Sequence, residues 1–80
     1  MSNAIESQIK FLKNGMSLSM VKNSAEQLIN AYGREEYGFT ALVSSHIEAA
    51  TKSRTKAQFI KHMSRASKIK QQEEMGVIAV

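Results

Sequence analysis

No cysteine, proline, tryptophan or aspartate occurs in this 80-residue chain. Lack of cysteine removes disulfides and thiolate metal sites together, and it fits a reducing, cytoplasmic setting. Lack of aspartate leaves glutamate as the only acidic side chain, and lack of proline leaves glycine and polar caps to punctuate the helices. No apolar run approaches the ~20 residues needed to cross a bilayer, so no membrane association is expected. The segment Met1 to Glu6 lacks the basic and apolar regions of a secretory signal.

The sequence is apolar enough to fold. Its hydrophobic fraction of 42% is that of an ordinary globular chain, and its length suits one domain over residues 1–80. The formal net charge is +4, distributed unevenly: from Ala49 to Gln72 there are seven basic residues and no acidic one. All seven glutamates lie outside that stretch, with Lys10, Lys13, Lys22 and Arg34 as the remaining bases. Such clustering attracts nucleic acid, an acidic protein or another anionic surface.

Apolar spacing predicts an all-α fold, a compact four-helix domain with short loops, packed as a bundle or an orthogonal array. The first helix runs from Ala4 to about Asn14, with Asn3 as cap, Glu6 at capping-box spacing and Ile5, Ile9 and Leu12 on one face. The second runs from Leu18 to Tyr32 between a Ser17 cap and a Gly33 stop. Its apolar arc is Leu18, Val21, Ala25, Leu28, Ile29 and Tyr32, and its polar arc Ser19, Asn23, Glu26 and Asn30. Arg34 to Gly38 reads as a charged loop. The third helix then extends from Phe39 or Thr40 to Lys52, with Phe39, Leu42, Val43, His46, Ala49 and Ala50 inward, and Ser44, Ser45, Glu48 and Thr51 outward. The fourth begins after Thr55, whose spacing to Gln58 is that of a capping box, and stops at Gly76. Phe59, Met63 and Ala66 form its apolar stripe, with Ile60 and Ile69 at the edges.

That fourth helix carries the functional signal. Lys61, Arg65 and Lys68 recur at i, i+4 and i+7 opposite the apolar stripe, and Lys52, Arg54 and Lys56 sit in the preceding turn. A row of bases at one-turn intervals suits contacts to successive phosphates, which give affinity without sequence preference. The same row on a solvated helix face needs no partner at all. The leading expectation is a nucleic-acid-binding or nucleoprotein-associated protein using Lys52, Arg54, Lys56, Lys61, Arg65 and Lys68. The alternative is a non-enzymatic interaction module, an adaptor or inhibitor, docking on an acidic protein.

Two segments have the outline of a helix-turn-helix. Around Gly15 the following helix is long for recognition, and its outer face holds Lys22 as its one base. Around Lys52-Ser53-Arg54-Thr55 the turn lacks glycine but the following helix is basic.

Catalysis and metal binding find no support. No Gly-x-Ser-x-Gly, His-Glu-x-x-His or glycine-rich phosphate loop is present, and the pairs Glu35-Glu36 and Glu73-Glu74 point in divergent directions. His46, on an apolar face, reads as a buried core histidine, and no cofactor is expected. Apolar positions in the first two helices, together with Val77-Ile78-Ala79-Val80, exceed what a small monomer readily buries, pointing to a homodimer.

Overall fold

A computed structural model describes residues 4–76. Among these the structure is all helical, with five helices where the sequence pattern predicts four: α1 (Ala4–Lys13), α2 (Leu18–Ile29), α3 (Ala31–Tyr37), α4 (Ala41–Thr51) and α5 (Lys56–Glu74). The Asn3 cap and the Val77 to Val80 tail lie outside the described residues.

Local chemistry explains most boundaries. Ser17, Thr40 and Thr55 each adopt extended backbone and accept a hydrogen bond from the amide three residues on, at 3.3, 3.3 and 3.1 Å. At Thr55 the box is completed one residue early: Gln58 Oε1 accepts from the Arg54 amide at 3.0 Å.

The extra helix arises at Asn30. Its backbone leaves the helical region (φ −66, ψ 165), ending α2, and its Oδ1 accepts from the Gly33 amide at 2.7 Å, starting α3. Arg34 to Tyr37 is therefore helical rather than looped. Gly33 lies inside α3 instead of terminating a helix, and it is buried because α3 turns back onto α2. A Cβ there would stand 2.3 Å from the Gln27 carbonyl oxygen, so only glycine permits this approach. Gly38, at φ +66, closes α3: its amide bonds to Glu35 O, and Phe39 N donates to Arg34 O at 3.0 Å.

The four longer helices close a ring around one core. α1 packs on α2 and α5, and α4 packs on α2 and α5, while α3 lies against α2. Their directions follow from three long-range contacts. Lys22 Nζ donates to Ser53 O at 2.8 Å, placing the start of α2 beside the α4–α5 turn. Ser67 Oγ donates to Glu6 Oε1 at 2.7 Å, placing the start of α1 beside the later part of α5. Thr40 Oγ1 donates to the Glu73 carboxylate at 2.9 Å, placing the start of α4 near the end of α5. α4 and α5 are therefore antiparallel, and so are α1 and α5.

The core contains Ile5, Ile9, Leu12, Val21, Ala25, Leu28, Phe39, Val43, Ile47, Ala50, Phe59, Met63 and Ala66. Each fully buried large side chain among them contributes roughly 1.5–3 kcal/mol. The predicted faces of the first, second and last helices hold, except at Tyr32, which the break at Asn30 rotates outward to 74% exposure. α4 is turned relative to its expected face. Ile47 and Ser44 are buried, Leu42 is 46% exposed, and His46 is half-buried rather than central. With α2 on one flank and α5 on the other, Val43, Ile47 and Ala50 point inward. Of the apolar surplus assigned to the first two helices, Phe11, Met20 and Tyr32 remain exposed.

Candidate nucleic-acid interface

α5 is the longest helix, and its two faces differ in kind. Phe59, Met63 and Ala66, at i, i+4 and i+7, have no exposed surface and anchor the helix against its neighbours. Lys61, Arg65 and Lys68 have the same spacing on the opposite side and are exposed. Over the seven helical steps from Lys61 to Lys68 the row extends ~10 Å along the axis. Among the described residues no carboxylate lies within 4 Å of any of the three, because the ion pairs of this region are Lys52–Glu48 at 3.5 Å and Lys70–Glu74 at 3.2 Å.

The turn residues predicted to extend the row are brought to its N-terminal end. Lys52, Arg54 and Lys56 are all exposed. Lys52 shares its charge with Glu48 across an open surface, where such a pair is weak and salt-sensitive. Lys56 opens α5, and a positive charge at that end opposes the helix dipole. Local helix stability therefore does not account for a lysine there, and the dipole adds to the positive potential around the turn. The turn itself is held from behind: Lys22 bonds the Ser53 carbonyl, and Ser53 is 3% exposed.

This contact separates the two helix-turn-helix candidates. α2 has 12 residues, short enough for a recognition helix, but its one base is directed inward at Ser53. The outer residues Ser19, Asn23, Glu26 and Gln27 offer no positive charge. In α4–turn–α5 the turn is residues 52–55 and the second helix presents the basic row. Comparison with protein-family models, curated proteins and solved structures finds no match to this chain. The functional reading therefore stands on the geometry of α5 and its surroundings.

Two other features fall short of a site. His46 and His62 are both half-buried, and among the described residues no group of three metal-ligating side chains converges. An open cleft of about 400 Å³ lies between α2 and the end of α4, lined by Leu18, Ser19, Lys22, Asn23, Glu26 and Thr51. Its lysine is the one already bonded to Ser53. Lys22 and Lys70 stand apart from the basic row because each serves the fold. Lys70 stands over the Phe39 ring at 5.6 Å, which is in turn stacked on Tyr37, and also pairs with Glu74. No helix among the described residues is long and apolar enough to cross a membrane.

Proposed function

We propose that this protein binds the phosphate backbone of nucleic acid through the outer face of α5, with Lys61, Arg65 and Lys68 as the principal contacts and Lys52, Arg54 and Lys56 extending them. The observation that carries the reading is the exposed row on α5 with no carboxylate within 4 Å of it among the described residues. Side chains of this kind, on a helix whose opposite face is anchored in the core, meet phosphates with little loss of backbone freedom. The affinity they supply is electrostatic and largely independent of base sequence.

The test is the triple variant Lys61→Gln, Arg65→Gln, Lys68→Gln, titrated with a short duplex and with its separated strands at several salt concentrations. The circular dichroism spectrum should be unchanged. Affinity should fall for every sequence, and the slope of log K against log salt should become shallower by about one unit for each phosphate-binding side chain removed. Undiminished binding would make the row a solvated helix face. An acidic protein as partner would appear as a binder captured with and without nuclease and absent from the triple variant, while nucleic acid bound neither form.

A further inference from the structure

We propose that Lys10 and Lys13 on α1 belong to the same phosphate-binding surface, so that the nucleic acid lies along the seam between α1 and α5 rather than on α5 alone. The inference rests on the proposed phosphate-binding role of α5 and adds a second helix to it.

Glu6, Lys10 and Lys13 recur at i, i+4 and i+7, so they share one side of α1. The hydrogen bond from Ser67 Oγ to Glu6 Oε1 shows that this side is turned toward α5. α1 and α5 are antiparallel. The short turn at 14–17 brings the end of α1 to the start of α2, and Lys22 ties the start of α2 to the turn that opens α5. Moving from Glu6 toward the end of α1 is therefore moving from Ser67 toward Lys61. Along that path Lys10 lies ~6 Å and Lys13 ~10 Å beyond Glu6, at the rise of an α-helix. These lysines accordingly lie level with the Lys61 end of the α5 row.

Both are exposed, and among the described residues no carboxylate lies within 4 Å of either. The acid on this face, Glu6, stands at the far end of it with one carboxylate oxygen bound by Ser67. Lys10 and Lys13 of α1 and Lys61 and Lys68 of α5, at least 48 positions apart in sequence, thus lie on neighbouring helices. Cations on two neighbouring helices meet a polyanion from two sides, whereas a single row touches it from one.

The experiment compares Lys10→Gln and Lys13→Gln, singly and together, with Arg34→Gln. The last removes the same charge from α3, which packs on α2. The same duplex and single strands serve as probes, and thermal melts verify that each variant is folded. The α1 double variant should reduce the salt slope by about two units, and each single should weaken binding more than Arg34→Gln does. Lysine acetylation in the presence of the duplex gives an independent readout: Lys10 and Lys13 should be protected together with Lys61 and Lys68. If the α5 triple variant loses binding while the α1 variants match Arg34→Gln and stay open to acetylation, the seam is wrong and the α5 reading survives. If the wild-type protein binds neither probe, both fall.

Discussion

At Gly33 one methyl group decides whether α3 can lie against α2. The position has ordinary backbone angles, so conformational freedom is not the reason for glycine there. The reason is the Gln27 carbonyl oxygen, 2.3 Å from where a Cβ would stand, with Leu28 O at 3.1 Å. Both are backbone atoms and cannot swing aside as a flexible side chain would. Gly33→Ala should therefore lower stability by about 1–3 kcal/mol, read as a shift in urea midpoint. An unchanged midpoint would mean that α3 does not pack as described. From sequence, a glycine following Tyr32 looks like a helix stop, because the path that α3 takes back onto α2 is a tertiary fact. The one local signal for that path is Asn30, a good N-cap inside an otherwise periodic stretch.

Among the helices, the break at Asn30 makes a sharp distinction between two residues that share an arc on any continuous helix. Leu28 precedes the break and is 5% exposed, whereas Tyr32 follows it and is 74% exposed. Leu28→Ala should cost about 2–5 kcal/mol. Tyr32→Ala should stay within about 0.5 kcal/mol. Equal and large destabilisation by both would restore a single long helix. The helices also differ in how readily they could be read. α5 has a compact apolar stripe facing a row of charges, so its two sides separate cleanly in the sequence. α4 is weakly patterned: Leu42, Ala49 and His46 flank its buried stripe, and Glu48 is its one charged residue. With so little polarity to mark the outside, its orientation follows from its neighbours, and Ile47 replaces His46 at the centre of the packed face.

Across the whole molecule, the net charge of +4 is concentrated where bases lack acidic partners. Compact folding brings these like charges together, and the Lys52–Glu48 pair is exposed enough to return little. Raising the ionic strength from ~0.01 M, with a Debye length near 30 Å, to ~0.15 M, with one near 8 Å, should therefore raise Tm. A fall in Tm would mean that the Lys52–Glu48 and Lys70–Glu74 pairs outweigh the repulsion. Helical content, the Ser17 and Thr55 caps, the inner faces of α1 and α5 and the exposed α5 row were all legible in the residue pattern, because each depends on spacing about one helix axis. Which helices adjoin depends on contacts between distant residues. Ser67 meets Glu6 across 61 positions, and Lys22 meets Ser53 across 31. Periodicity carries no information about such pairs: it marks the side of a helix that needs covering, and packing in three dimensions selects what covers it. For that reason the basic row of α5 appears in the sequence, while Lys10 and Lys13 join its surroundings only once α1 is laid antiparallel against it.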